Sequence, residues 1–291
     1  MVRILGISCY FHDSAAALLE DGLLVAAAEE ERFSRKKHDY DFPSGAIQFC
    51  LDSGRITGKD LDYVVFFEKP FTKFDRLLRT SLQGFPKTYS MFLQSMRTWL
   101  LDKLWVKSLI KKSLGVDSNR ILFSEHHLSH AASSYFCSPF DSSAILTFDG
   151  VGEWATTTMG VGSGTDLSIN RELHFPHSIG LLYSAFTAFL GFEVNEGEYK
   201  VMGMAPYGSP QYVDKVWETI RQGDDGAYWL DPDYFSSHFS TNKSYTRKFI
   251  KLFGEPRDPE VDFFTEASGY QNYYGPKPHN YAELCRYNQY Y

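Results

Sequence analysis

The chain has 291 residues, of which 43% are hydrophobic and 16% aromatic, so it can bury the core of one large domain or of two lobes. Its formal net charge of −7 argues against a general nucleic-acid-binding protein, and it contains no apolar run long enough to span a bilayer. The four cysteines show no paired spacing, and Cys9 and Cys50 lie in apolar runs. Together with a start that lacks a signal-peptide layout, this leads us to expect a cytoplasmic protein.

The N-terminal segment predicts three successive antiparallel strands. Asp21-Gly22 is a hairpin signal between the second and third, and a polar break with His12 and Asp13 separates the first two. Lobes of the actin, sugar-kinase and heat-shock ATPase fold begin in this way, and there the first hairpin turn faces the phosphates of a nucleotide. We therefore expect an α/β, ribonuclease H-like fold of two lobes. The predicted strands are Arg3–Cys9, Ala15–Glu20 and Leu23–Ala28.

The run of charged residues from Glu29 to Lys37 has two interpretations. It is typical of a solvated surface, but its arginines also suit an anionic ligand. A helix from Ser44 to Leu51 and a strand from Leu61 to Phe67 follow. The pattern of residues 71–114 predicts a helical insertion that is interrupted near Gly84 and Pro86. We expect this insertion to cover the side of the protein where the substrate binds.

Three of the nine histidines lie between a predicted strand end at Phe123 and a predicted helix. His126 and His130 are four residues apart and therefore share one helix face. Two imidazoles on one face can hold a metal ion if a third ligand comes from elsewhere, although such a pair alone is more typical of surface histidines. His127 is the alternative partner of His130.

Asp149 is the third ligand that we expect, because it ends the apolar strand Ser142–Phe148 and strand ends carry site residues in α/β proteins. Two more predicted strands follow it. They repeat the N-terminal arrangement and predict the start of a second lobe. Gly150 and Gly152, directly after Asp149, would let backbone N–H groups approach a phosphate, although an Asp-Gly pair also forms ordinary turns.

Downstream, an apolar helix from Leu181 to Leu190 precedes a glycine-rich, charged stretch from Gly191 to Gly208. We interpret this stretch as a loop, in which Lys200 meets a phosphate as a point charge. Its alternative interpretation is a flexible surface connection. A helix is predicted from Gln211 to Arg221.

Six stretches of the chain resemble the N-terminal part of the NodU/CmcH-type carbamoyltransferases, in the order that the family has them. This family includes the nodulation-factor, cephamycin and aminoglycoside O-carbamoyltransferases. The stretches are Ile4–Ser8 with Phe11–Ala15, Ala28–Lys37, Glu125–Ala131, Asp149–Trp154, Ser178–Ser184 and Glu196–Gly208.

The resemblance implies a reaction shared between two domains. A YrdC-like C-terminal domain makes carbamoyladenylate from carbamoyl phosphate and ATP. An N-terminal domain similar to the tRNA-modifying enzyme TsaD transfers the carbamoyl group to a substrate hydroxyl and releases AMP. We therefore expect transfer to a small-molecule acceptor of the sugar or antibiotic type, with neither a nucleic acid nor a membrane as partner.

The resemblance also implies residue roles. The family binds an iron-type metal through two histidines and aspartates, and His126, His130 and Asp149 match three of these ligands. His12 or Asp13 is the expected general base. Lys37 is expected to line the path of the acceptor or adenylate. The residues expected to bind the nucleotide are Gly150, Gly152, Glu153, Glu198 and Lys200.

The expected domain organisation is a first lobe over residues 1–141, with the insertion at 71–114, and the start of a second lobe over residues 142–291. We expect this chain to lack the family's fourth metal ligand, an aspartate, and its YrdC-like domain. We expect a fragment, with exposed strand edges, whose full activity needs the missing half from a separate polypeptide.

Three alternatives compete with this hypothesis. A TsaD-like role on tRNA is disfavoured by the acidic charge and the long insertion. A nucleotide-binding ATPase module without carbamoyl chemistry is disfavoured by the histidine pair, because such modules hold Mg²⁺ mainly through carboxylates and waters. The third alternative is an inactive fragment.

Overall fold

The computed structural model describes residues 1–101, 103–240 and 243–259, which fall into two compact units. The first comprises Met1–Arg79 and Phe92–Pro139, and the second lies within Thr80–Met91 and Phe140–Tyr291. The part of the predicted second lobe after residue 259 is outside the described residues. Among the residues described, no helix has the length and apolarity that crossing a bilayer requires.

The first unit contains a five-stranded sheet of order β3-β2-β1-β4-β5. β1, β2 and β3 pair antiparallel, whereas β4 and β5 run parallel to β1. At the tip of the second hairpin, Asp21 and Gly22 have φ angles of 48° and 83°, the left-handed region that a two-residue turn requires. The three predicted N-terminal strands are thus confirmed. The strands are β1 (Arg3–Ser8), β2 (Ala15–Glu20), β3 (Leu23–Glu29), β4 (Tyr63–Phe66) and β5 (Ile121–Phe123).

The core of the first unit forms between this sheet and its helices. Leu5 and Ile7 occupy alternate positions of β1 and are buried, as period-two alternation requires. Cys9 and Cys50 belong to the same core, and burial raises the pKa of both thiols. The helices that precede residue 139 are α1 (Glu31–Ser34), α2 (Ser44–Gly54), α3 (Pro70–Gln83), α4 (Tyr89–Leu101), α5 (Val106–Leu114) and α6 (His126–Tyr135), with 3₁₀ turns at Gly58–Asp60, Lys103–Trp105 and Ser118–Arg120.

The second unit also opens with three antiparallel strands, in the order β6-β7-β8. The predicted repeat of the N-terminal strand arrangement is present, and the predicted α/β fold class is confirmed. Its core is aromatic: Phe186, Phe189 and Phe249 are almost fully buried, with ring centroids 5.0–5.3 Å apart between Phe249 and the other two. The elements are β6 (Ser142–Phe148), β7 (Ala155–Ser163), β8 (Asp166–His174), α7 (Ile179–Phe189), α8 (Glu198–Met204), α9 (Val213–Trp217), β9 (Ile220–Gln222), β10 (Tyr228–Leu230) and α10 (Arg247–Phe253), with a 3₁₀ turn at Ala205–Tyr207.

Two secondary-structure predictions were wrong in this unit. The stretch from Gly191 to Gly208 is not a continuous loop, because α8 forms in it and buries Val201 and Met204 on one face. The predicted helix from Gln211 to Arg221 is shorter, since only α9 forms and the chain then enters β9. β9 exists because it pairs with β10, a contact that local sequence patterns do not reveal.

Candidate active site

The two candidate histidine ligands lie in the first turns of α6, which starts at His126 after the short strand β5. His126 is 3% exposed, whereas His130 is exposed. Their Nε2 atoms face each other at 3.0 Å. Helical geometry places the two side chains next to each other, because residues four apart are neighbours on one face.

This pair fits the donor set of a metal ion. With each nitrogen about 2.1 Å from a metal, two imidazoles on neighbouring coordination positions have nitrogens about 3 Å apart. The observed separation of 3.0 Å between the Nε2 atoms matches that spacing. The ring of His127 is farther from that of His130, with centroids 6.1 Å apart against 4.7 Å for His126. The geometry therefore favours His126 over His127 as the partner of His130.

His126 is enclosed by aromatic rings and by one carboxylate. Phe11 and Phe67 present their rings to it in edge-on contacts, with centroids 6.0 and 5.4 Å away. On the other side of the imidazole, Nδ1 lies 3.8 Å from a carboxylate oxygen of Glu68, which is itself 3% exposed. Glu68 is a site residue that was not predicted from the sequence.

A second cluster surrounds Asp13, in the connection between β1 and β2. Its carboxylate contacts Nδ1 of His12 with one oxygen and Nδ1 of His38 with the other, the latter at 2.9 Å. Burial pushes the pKa of Asp13 upward, but the hydrogen bonds from His12 and His38 outweigh it and hold the pKa below its usual range. Asp13 is therefore a carboxylate that orients two imidazoles.

Glu31 completes this cluster. One of its carboxylate oxygens accepts the backbone N–H of His38 at 3.2 Å. His38 has a φ of 53°, so its backbone adopts the left-handed conformation while its ring reaches Asp13. The ligand atoms of Asp13, Glu31 and His38 lie within 4.8 Å of one another. His38 is the second residue that the sequence analysis missed.

In the second unit, Asp149 directly follows β6, and hydrogen bonds of its own backbone fix its position. Its N–H donates to the carbonyl of Thr156 at 2.9 Å, and its carbonyl accepts the Ser178 hydroxyl at 2.8 Å. One carboxylate oxygen accepts the N–H of Gly150 at 2.7 Å. The N–H of Gly152 donates to Ala155 at 2.9 Å, so the amides of both glycines already have acceptors within the loop.

The other predicted nucleotide-binding residues lie in different environments. Glu153 is buried, with 7% exposed. Glu198 begins α8, and its carboxylate accepts the N–H of Asn195 at 3.0 Å. Lys200 is exposed, with its ammonium 5.9 and 5.8 Å from the ring centroids of Phe192 and Tyr199.

Residues 3–263 match the family described as the carbamoyltransferase N-terminus. The chain belongs to this family. It is 51% identical to the uncharacterized protein sll1178 of Synechocystis sp. over 266 residues, which cover 88% of this chain and 43% of that protein. It is 38% identical to the nodulation protein NolNO of Sinorhizobium fredii over 226 residues, 75% of this chain and 31% of that protein. The chain spans less than half the length of these two relatives.

Solved structures similar to this family member share little sequence with it. YeaZ from Pseudomonas aeruginosa is 14% identical, with a TM-score of 0.33 over 59% of this chain and 65% of that one. Component A of the (R)-2-hydroxyglutaryl-CoA dehydratase of Acidaminococcus fermentans is 12% identical, with a TM-score of 0.36 over 72% and 60% of the two chains.

Within this carbamoyltransferase-family chain, the predicted site residues are distributed over both units. The first unit brings His126 to His130 and His12 to Asp13. Asp149 and the predicted nucleotide-binding residues lie in the second unit. A sequence signal for the missed Glu68 existed, since this carboxylate follows β4 closely, as Asp149 follows β6. His38 carried no such signal, because it lies in an irregular segment.

The absence of a side chain at Gly180 allows the first turn of α7 to pack closely against the backbone of Asp149. A Cβ at Gly180 would lie 2.6 Å from the carbonyl carbon and oxygen of Asp149. We expect Gly180→Ala to lower the free energy of unfolding by about 1–3 kcal/mol, because backbone atoms must shift. The matched control is Gly203→Ala in α8, where a Cβ would meet nothing within 4 Å. Equal urea midpoints for the two variants would contradict the prediction.

Proposed function

We propose that this chain is the carbamoyl-transferring part of an O-carbamoyltransferase. The carbamoyl group passes from carbamoyladenylate to a hydroxyl of a small sugar- or antibiotic-like acceptor. The observation that carries the proposal is the 3.0 Å approach of the His126 and His130 Nε2 atoms in a chain of the carbamoyltransferase N-terminus family. An ATPase module without carbamoyl chemistry would rely on carboxylates and waters for its metal instead.

In this proposal, His126, His130 and Asp149, the three ligands that the family resemblance implies, hold one divalent metal ion. Two imidazoles and a carboxylate accept several metals, and iron is favoured by the family resemblance. Bound there, the metal would neutralise negative charge on the adenylate phosphate and on the departing AMP. The rings of Phe11 and Phe67 cover part of the buried His126 imidazole, and low exposure to water strengthens electrostatic interactions there.

His12 is the proposed general base. A carboxylate can only accept hydrogen bonds, so its contact with Asp13 assigns the His12 proton to Nδ1 and leaves the lone pair on Nε2. The acceptor hydroxyl gives its proton to this Nε2 as its oxygen bonds to the carbamoyl carbon. The bond between that carbon and the AMP phosphate oxygen then breaks, and its electron pair leaves with AMP. Asp13 stabilises the resulting imidazolium.

The nucleotide-binding part of the proposal rests on the second unit. The exposed ammonium of Lys200 would pair with phosphate charge. Gly150 and Gly152 would let the backbone approach the phosphate closely, because they have no side chain. Their N–H groups would not bind the phosphate, because they already donate hydrogen bonds to Asp149 and Ala155. Glu153 and Glu198 belong to the two segments that would hold the nucleotide. Carbamoyladenylate would come from a YrdC-like domain that uses carbamoyl phosphate and ATP, on the same or another polypeptide.

The experiment that tests this function is a reconstituted transfer reaction. The purified chain would receive a YrdC-type enzyme, carbamoyl phosphate, ATP and a panel of amino sugars and polyols, and mass spectrometry would detect acceptors heavier by one carbamoyl group. We expect AMP and carbamoylated product only when the chain is present. ADP formation without carbamoylated product would instead support the ATPase alternative.

A further inference from the structure

A buried ion pair lies at the start of α3, next to the candidate metal ligands. Glu68 follows β4 and is 3% exposed, and Lys73 in the first turns of α3 is 5% exposed. The Lys73 ammonium contacts a carboxylate oxygen of Glu68 at 2.5 Å. A buried pair of this kind often contributes little to stability relative to apolar residues of similar size. Its presence here therefore calls for another role.

The same carboxylate oxygen of Glu68 faces His126. It lies 3.8 Å from Nδ1, while Nε2 on the opposite edge of the ring faces His130 at 3.0 Å. A neutral imidazole carries one proton on one of its two nitrogens. A nearby carboxylate favours the proton on Nδ1, and this leaves the lone pair of Nε2 available on the side of His130.

The lysine holds the carboxylate in this position. Lys73 bonds the oxygen that faces His126, and its ammonium also lies 4.8 Å from the centroid of the Phe11 ring. Phe11 in turn contacts His126 edge-on. The side chain of Glu68 is therefore fixed between a cation and an imidazole in an environment closed to water, which is the usual setting of a residue that orients a metal ligand.

We infer that Glu68 is a positioning residue for the metal centre, which sets the tautomer and ring orientation of His126, and that Lys73 fixes Glu68. The inference rests on the proposed metal-binding role of His126. Moving Nδ1 and the carboxylate about 1 Å closer completes a hydrogen bond of ordinary length. With the His126 proton on Nδ1 and no metal bound, the contact between the two Nε2 atoms is a hydrogen bond in which His130 is the donor and His126 is the acceptor.

The test measures metal affinity, by titrating the metal-stripped full chain with Co²⁺ and following its visible absorbance. We expect Glu68→Gln to bind about 10- to 100-fold more weakly than wild type, the usual effect of losing such a partner. The matched control is Asp75→Asn, which removes an exposed carboxylate of α3 that pairs with Arg79 at 2.9 Å. This control should bind as wild type does.

A double variant separates positioning from a merely structural role. Glu68→Met with Lys73→Met replaces the buried pair by apolar side chains, so the fold no longer contains an uncompensated charge. We expect it to fold with a wild-type melting temperature and still bind Co²⁺ about 10- to 100-fold more weakly. Wild-type affinity in the folded double variant would overturn the inference while leaving the proposed function intact.

Nitrogen-15 NMR of the histidine rings gives a readout that does not need a metal. The His126 signals would be assigned by their loss in His126→Ala. We expect the proton on Nδ1 in wild type and a shift toward Nε2 in Glu68→Gln. A wild-type His126 protonated on Nε2 would overturn the inference. A folded wild-type chain that binds no divalent metal would overturn both the inference and the metal-dependent function proposed above.

Discussion

The His126→Ala/His130→Ala double variant is expected to lose metal binding completely. The two Nε2 atoms approach to 3.0 Å and supply two of the three proposed ligands, so one carboxylate would remain. Elemental analysis of the purified protein checks this result. Wild type should carry close to one metal ion per chain, and the double variant only background.

His127→Ala is the control for that experiment. His127 is buried beside His126 in the same helix, with 4% exposed, but its ring is farther from that of His130. We expect it to keep its metal, with a lower melting temperature because a buried side chain is lost. If His127→Ala lost the metal while His126→Ala kept it, the assignment of the i, i+4 pair would be wrong.

His12→Ala is expected to reduce the rate of carbamoyl transfer by about 10²- to 10⁴-fold, the usual contribution of a general base. Metal content should stay at the wild-type level, because His12 is not among the proposed ligands. Asp13→Asn should lower the rate as well. Its amide no longer carries the charge that stabilises the imidazolium and fixes the ring.

Steady-state rates in the reconstituted transfer reaction check this prediction. A suitable control is His174→Ala, since His174 is an exposed histidine of β8 whose partner is Glu172 at 2.9 Å. It should transfer carbamoyl groups at the wild-type rate. A His12→Ala variant with wild-type turnover would exclude His12 as the base.

Much of the architecture could be predicted because it depends on local patterns. Alternating apolar residues and the Asp21-Gly22 turn determine the first hairpins, and the helix period brings His126 and His130 together. α8 was not predicted because its stretch is rich in glycines and charged residues, which are typical of loops. Its apolar face consists of two buried residues, Val201 and Met204, and is too short to give a clear helical pattern. Here packing overrides propensity.

The site was predictable to the extent that its residues share one element. The contacts of Glu68 with His126 and of His38 with Asp13 join segments that are far apart in the chain, so no spacing rule indicates them. Likewise, the internal hydrogen bonds of Gly150 and Gly152 could not be seen in a Gly-x-Gly pattern. A sequence pattern indicates which groups could bind a ligand, but the folded structure is needed to see which of them already have hydrogen-bond partners.

Calorimetric titration with a stable analogue of carbamoyladenylate tests whether this chain binds that adenylate at a metal centre. The measurement does not require a known acceptor. We expect saturable binding to the metal-loaded chain and at least about 10-fold weaker binding to the chelator-stripped chain, because the metal would hold the phosphate. Equal affinity of the two forms, or no binding to a folded, metal-loaded chain, would contradict it.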